Sequence, residues 1–358
     1  MLYILFTTGQ CNLKCKYCGG SFPPNLVPWK TTYPTSQLKS FIFDDPEPTI
    51  AFYGGEPLLN VKFIRDVMED FPEAKFVIQS NGILARSLEP EYWLRFDAVL
   101  LSLDGRRKVT NYYRGAKVYD RIIDSARWLK TIGFKKDLIA RMTVSEFSDI
   151  FLDVKHLLSL NLFDHVHWQL DVVWSSNWKD FDGWCESSYM SGISRLANFW
   201  IEGARKGRVL GLVPFVAVLK TMLKQSRIDS PPCGSGLNSL SILPNGCIVA
   251  CPIAVDVNWA KLGNILTDQR DRLINRVKIG EPCTSCHYLK YCGGRCLYAH
   301  YERLWGEAGF NKTCEVTIHT IDELSKIKDE VLSLLDRKVI SMTQLDYPTF
   351  NNTTEIIP

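Results

Sequence analysis

Six short runs in the first half of the chain carry nearly continuous apolar or β-branched positions: Leu2–Thr8, Thr49–Tyr53, Lys75–Ser80, Asp97–Leu103, Asp137–Val144 and His165–Asp171. Runs of this length, rich in Val, Ile, Leu and Phe and without strict alternation, predict strands covered on both faces. Between them the period changes. Ile64, Val67, Met68 and Phe71 share one helical face after Asn60, a residue suited to cap a first turn, and Ile122, Ala126 and Leu129 repeat the spacing later. Strand and helix therefore alternate. Such alternation implies parallel strands joined by right-handed crossovers, in a doubly wound sheet or in an open or complete barrel.

After Asp171 this rhythm stops. A Trp- and Ser-rich stretch, Val173 to Ser191, leads into a helix with the stripe Ile193, Leu196, Ala197, Trp200 and Ala204, and a second apolar helix covers Val213 to Gln225. Ser230-Pro231-Pro232 then punctuates the chain and marks the expected main boundary. The expected division is a strand–helix core at 1–171, a helical insertion at 172–232, a cysteine-rich domain at 233–340 and a loosely ordered tail at 341–358. Within the third part Pro244-Asn245-Gly246 predicts a hairpin turn, and Leu324, Ile327, Val331 and Leu334 predict a helix.

Composition narrows the classes. The chain has 358 residues, ample for a buried core, with 42 basic and 39 acidic side chains and a formal charge of +3. No block of like charge appears, so neither nucleic acid nor another polyanion is an expected partner. The run Leu2–Phe6 is too short for a signal-peptide core, and no stretch approaches the ~18 apolar residues of a membrane span, so a cytoplasmic protein is expected. In that reducing compartment, twelve cysteines point to metal ligands before disulfides.

Cys11, Cys15 and Cys18 follow the first strand with C-x3-C-x2-C spacing. Three thiolates in one loop suit zinc or an iron–sulfur cluster. A closed site wants four ligands, so either a distant His or Cys completes a zinc site or one coordination position is left for something else.

The motif, with Tyr17 just before its last cysteine, resembles the signature of the radical S-adenosylmethionine (radical SAM) superfamily. Further motifs occur in the matching order. Gly54-Gly55-Glu56-Pro57 after the second strand is similar to the family's GGEP motif, which implies contacts to the amino group of the methionine moiety. Ser80-Asn81-Gly82 ends the third strand, Ser102-Leu103-Asp104-Gly105 ends the fourth, and Arg114 follows where such enzymes often carry a base for the carboxylate. The resemblance implies a [4Fe-4S] cluster on Cys11, Cys15 and Cys18 whose fourth iron chelates SAM. Its reductive cleavage would yield a 5′-deoxyadenosyl radical that takes a hydrogen from the substrate, the cofactor carrying the hard chemistry. It also implies a partial (β/α)6 TIM-type barrel with its site at the strand C-terminal ends.

A second constellation, Cys283-x2-Cys286-x5-Cys292-x3-Cys296, would by itself fit a zinc knuckle equally well. With Cys233, Cys251 and Cys314 it resembles the SPASM domain of radical SAM enzymes acting on peptides and proteins. That resemblance implies two auxiliary [4Fe-4S] clusters, three clusters in all. Cys283, Cys286, Cys292 and Cys314 would hold the outer one, and Cys233, Cys251 and Cys296 the inner one. Cys247 is the candidate for the inner cluster's remaining ligand, since its offset of four from Cys251 permits the same side of a strand; otherwise the inner cluster keeps an open iron. Cys185 and Asp171 are the candidates for a catalytic role, with packing and capping as the plainer readings. The cysteine sets need none of His165, His167 or His287.

Three functions fit in different degree. The favoured one is modification of a peptide or protein side chain by oxidation, thioether or carbon–carbon cross-linking, or epimerisation. A sulfatase-maturating enzyme shares the layout, but those enzymes carry an acid directly after the hairpin cysteine, where this chain has Pro252 and its nearest acid is Asp256. A non-catalytic iron–sulfur carrier or zinc protein leaves the GGEP-like and SLDG-like motifs unexplained. The resemblance further implies a reduced ferredoxin- or flavodoxin-type donor. Because the chain starts on its first strand, no leader-binding domain is expected ahead of it. Recognition would then fall to the barrel mouth, to a separate recognition protein, or to the insertion with Trp174, Trp178, Trp184 and Trp200.

Overall fold

The computed structural model describes residues 1–172, 178–226, 228–303, 305–348 and 350. All six expected strands form, as β1 (Leu2–Thr8), β2 (Thr49–Gly54), β3 (Lys75–Ser80), β4 (Ala98–Ser102), β5 (Asp137–Val144) and β6 (His165–Leu170). They pair in parallel in the order β6-β5-β4-β3-β2-β1. Every residue of β1 and β4 is buried, which is why these runs read as unbroken apolar stretches.

The connections are helical: α1 (Thr35–Ile42), α2 (Val61–Asp70), the single turn α3 (Pro90–Trp93), α4 (Arg107–Arg114), α5 (Val118–Thr131) and α6 (Ile150–Ser159). α2 buries Phe63, Ile64, Val67 and Met68. Asn60 caps it by accepting from the Phe63 N–H at 3.4 Å, while its Nδ2 donates to the Thr7 carbonyl at 2.9 Å. The cap thus ties the helix start to the end of β1.

The sheet continues where the sequence suggested a break. β7 (Ser239–Ile242) runs parallel to β1 with Leu2 opposite Ser239, and β8 (Cys247–Val249) and β9 (Lys261–Asn264) follow antiparallel, giving nine strands in one sheet among the described residues. The edge of β1, which would otherwise expose a row of backbone donors and acceptors, is covered by the cysteine-rich region. Gly246, at φ 81°, makes the predicted turn between β7 and β8.

The insertion holds α7 (Phe181–Trp184), a π-turn (Cys185–Met190), α8 (Ser191–Arg205) and α9 (Val213–Leu223). After α10 (Leu289–Cys292) and α11 (Leu297–Glu302), the chain closes with α12 (Gly306–Asp336), which packs against α8 and α9. Trp200 is fully buried and donates to the Leu210 carbonyl, so it belongs to the core and not to a substrate surface. Trp174 lies outside the described residues. In the expected tail, Met342–Leu345 forms a 3-10 turn, and 349 and 351–358 lie outside the described residues. Among the described residues no helix is long and apolar enough to cross a membrane.

Candidate active site and cysteine sites

The loop after β1 brings Cys11, Cys15 and Cys18 together. The Leu13 N–H donates to Cys11 Sγ at 3.4 Å, and the N–H groups of Cys18 and Gly19 donate to the Cys15 carbonyl, folding the loop over its own thiols. Hydrogen bonding between the two side chains is the largest influence on the Cys15 and Cys18 thiols, holding Cys18 below and Cys15 above the ordinary thiol range, so that Cys18 ionises before Cys15.

The loop is anchored from α4. Lys16 N–H donates to the Tyr113 carbonyl at 2.9 Å, and Tyr17 hydroxyl donates to Asp104 Oδ2 at 3.0 Å. Asp104 is fully buried behind the cavity wall. It also accepts from Arg114 Nε at 2.8 Å, from Arg114 Nη2 at 2.7 Å and from the Thr143 N–H at 3.0 Å. One carboxylate therefore joins the cysteine loop, α4 and β5, and it fixes the plane of a guanidinium that faces the cavity.

The glycines after β2 are sterically required. A Cβ on Gly54 would stand 2.3 Å from the Thr8 carbonyl oxygen, and one on Gly55 2.1 Å from that of Gln10. This close approach lets the Gly55 N–H donate to Thr8 and the Glu56 N–H to Gln10. Glu56 is 1% exposed. Its carboxylate accepts from Ser80 Oγ at 2.7 Å, the Asn81 N–H at 2.8 Å and the Leu58 N–H at 3.1 Å, yet burial pushes it up to about 7. Pro57 does not line the cavity; its carbonyl accepts from Thr7 Oγ1.

One cavity of about 480 Å³ lies at the C-terminal ends of the parallel strands. Its walls include Cys11, Cys15 and Cys18 with Tyr17, Gly54, Gly55, Glu56, Asn81, Ser102 and Arg114. Cys233, Cys251 and Cys296 line the same cavity, as do Asp171 and Asp256. Burial, then the neighbouring thiols of Cys296 and Cys233, push Cys251 well up, as expected of three thiols facing one space. Cys233 Sγ lies 3.0 Å from Ser235 Oγ.

Cys247 is not brought to this group. It sits on β8 opposite Asn264, whose Nδ2 donates to its sulfur at 3.8 Å, and it lines neither cysteine cavity. The β8 strand ends at Val249, so the strand alternation assumed for an offset of four does not extend to Cys251. Cys185 is also elsewhere. It is fully buried in the π-turn, where burial pushes its thiol up to about 12. Asp171 does line the main cavity, with Oδ2 accepting from Ser145 Oγ at 2.8 Å; its carbonyl accepts from Trp178 Nε1.

A second cavity of about 60 Å³ is lined by Cys283, Cys286, Cys292 and Cys314. Burial raises Cys283 to about 11, with Cys314 and Cys292 adding to it. Cys296 lines both cavities and so stands in the wall between them. Among the described residues no three Cys, His, Asp or Glu side chains converge as they would on a single ion. Several thiols lining one cavity are a donor set of the kind that iron–sulfur clusters and zinc take.

Several residues of these sites escaped the sequence reading. Arg141, 3% exposed, lines the main cavity and is held by His167 Nδ1 and Gln169 Oε1 on the neighbouring strand. A cation inside the otherwise apolar interior of β5 was the available signal. Arg295 and His300, beside the four-thiol site, gave no periodic or motif signal.

Residues 5–147 match the model of the Radical SAM superfamily. The chain is similar to the cysteine-type anaerobic sulfatase-maturating enzyme of Clostridium perfringens (strain 13 / Type A), at 23% identity over 88% of this chain and 93% of that one. Among solved structures, native anSMEcpe with bound AdoMet aligns over 94% of this chain and 100% of that one, with a TM-score of 0.71 and 17% identity. Streptococcus suis SuiB bound to precursor peptide SuiA aligns over 82% of this chain and 71% of that one, with a TM-score of 0.57 and 17% identity.

Proposed function

Starting from a chain that is a radical SAM enzyme of the SPASM, peptide-modifying type, we propose that it cleaves SAM reductively and abstracts a hydrogen from a peptide or protein side chain held in the main cavity. The carrying observation is that a single cavity is lined by the Cys11, Cys15 and Cys18 thiols and also by those of Cys233, Cys251 and Cys296. A substrate in that cavity would have both the radical source and an electron acceptor in its walls. When bound, the cluster and SAM would supply the radical chemistry that removes the substrate hydrogen. The chain's own residues hold and orient: three thiols for the cluster, Glu56 for the SAM amino group, and Arg114, braced by Asp104, for its carboxylate.

Glu56 makes this reading pH-sensitive. Burial pushes its carboxyl up to about 7, and the ionised form is the stronger acceptor for the N–H groups of the SAM amine. SAM affinity of the reconstituted protein is therefore expected to rise with pH through about 7, and to weaken below it by up to about tenfold per unit. Isothermal titration from pH 6 to 8 measures this; a flat profile would remove Glu56 from the amino-group role.

A second reading, formylglycine formation on a sulfatase, gains from one observation. Asp256, although five residues beyond Cys251, lines the cavity together with Pro252, so an acid is present without following the cysteine directly. Anaerobically reconstituted protein with dithionite and SAM should release 5′-deoxyadenosine, and a peptide deuterated at the reacting carbon should pass its label into it. Absence of 5′-deoxyadenosine would end the enzyme reading. A Cys- or Ser-bearing sulfatase peptide should be turned over only under the second reading, and there Asp256→Asn should slow product formation by roughly 10²–10⁴-fold if Asp256 is the base.

A further inference from the structure

The four-thiol site contains a buried cation with unsatisfied donors. Arg295 is 5% exposed, its Nε and Nη2 make no hydrogen bond among the described residues, and it lines the same cavity as Cys283, Cys286, Cys292 and Cys314. A guanidinium cannot shed its charge on burial, so an uncompensated one is among the costliest groups a fold can hold. The backbone also keeps it there against preference. Arg295 has φ 61°, in the left-handed region, and its N–H donates to the Cys292 carbonyl at 2.8 Å. Its unused donors are suited to an anionic centre, as four thiolates around an iron–sulfur cube would be.

A second donor approaches from α11. His300 Nε2 accepts from the Gly280 N–H at 3.0 Å, which leaves the ring proton of the neutral imidazole on Nδ1, 3.7 Å from Cys283 Sγ. The main cavity is arranged differently. Its buried cations are engaged, Arg114 by Asp104 and Arg141 by His167 and Gln169, and the hydrogen-bonding side chain beside Cys233 is the neutral Ser235.

We infer that Arg295 and His300 are positioning residues that stabilise the reduced, more negative state of the outer iron–sulfur site. The outer site thereby has the higher reduction potential of the two auxiliary sites and is where an electron leaving the main cavity comes to rest. Hydrogen bonds to cluster sulfur and nearby positive charge both raise such potentials. Cys296, in the wall of both cavities, places the two sites next to each other for this transfer. The step moves one electron from the inner site, which is oxidised, to the outer site, which is reduced. No bond to the protein forms or breaks, and no proton moves because the guanidinium stays charged.

The inference rests on the reading of both thiol sets as iron–sulfur sites. Its test is a redox titration of the reconstituted holoenzyme followed by low-temperature electron paramagnetic resonance, with Cys314→Ala identifying the outer signal. In the unaltered protein the outer site should titrate above the inner one. Arg295→Gln should shift the outer site's reduction equilibrium about tenfold toward the oxidised form, about 59 mV for one electron, and leave the inner site unmoved. Arg295→Lys should recover part of the shift, and His300→Phe should shift the outer site less in the same direction. An outer site at or below the inner one in unaltered protein overturns the inference, as does an unmoved potential in Arg295→Gln. If Arg295→Gln loses the outer iron, unmoved potentials in both Arg295→Lys and His300→Phe overturn it instead. Absence of iron at the four-thiol site in unaltered protein would instead overturn the iron–sulfur reading beneath it.

Discussion

Replacing Cys11, Cys15 and Cys18 together by alanine should reduce SAM cleavage to the level of an enzyme-free control while the C-terminal thiol sites keep their iron. Three cubes predict about twelve irons per chain, falling to about eight in the triple variant. The separation follows from the structure. The first three thiols sit on one loop closed by its own backbone hydrogen bonds and anchored to α4, and none of them lines the four-thiol cavity. Their removal takes no ligand from the Cys283, Cys286, Cys292 and Cys314 site. Iron and sulfide analysis beside chromatography of 5′-deoxyadenosine measures both outcomes. Persistent cleavage would sink the assignment of the first loop, and loss of all iron would mean that the sites do not fill independently.

Asp104→Ala should destabilise the protein strongly, by about 3–5 kcal/mol in denaturant unfolding. The substitution strands Arg114, 8% exposed, as a buried guanidinium without its counter-charge. It also frees the Tyr17 hydroxyl and the Thr143 N–H, which lose their acceptor. Most of that cost belongs to the orphaned cation and not to the attraction lost. The double variant Asp104→Leu/Arg114→Met should therefore regain most of the stability, because an apolar pair in place of a buried ion pair is often near neutral. It should not regain SAM affinity if Arg114 meets the carboxylate. A double variant as unstable as Asp104→Ala alone would refute this account of the pair.

The residues that contact one another locally were legible from the chain. Glu56 and Asn81 were read separately as motif members, each at a strand end. Their direct hydrogen bond follows from parallel in-register pairing of β2 with β3, which brings adjacent strand ends to one rim. Asp104 and Arg114 were read as independent as well, and they form one ion pair because the first turn after β4 folds α4 back over the strand end. Cys247 shows how far local spacing reaches. Its offset from Cys251 suited a continuous strand, but β8 ends at Val249, and of the two cysteines it is Cys251 that lines the main cavity.

Period and spacing act over a few residues, and on that scale the sequence by itself determined six parallel strands, their helical crossovers, the first three-thiol loop and the hairpin turn. Strand propensity and turn chemistry are properties of neighbours along the chain, so they survive without knowledge of the fold. Period and spacing could not group the distant thiols, which only the resemblance suggested, and it is the tertiary structure that lines one cavity with Cys233, Cys251 and Cys296. It decided too that β7 pairs with β1 and that Arg295 is buried with two of its nitrogens lacking a hydrogen-bonding partner among the described residues. These depend on sheet register and on where long connections return, and the cost of an unpaired buried charge exists only once the surrounding chain has excluded water.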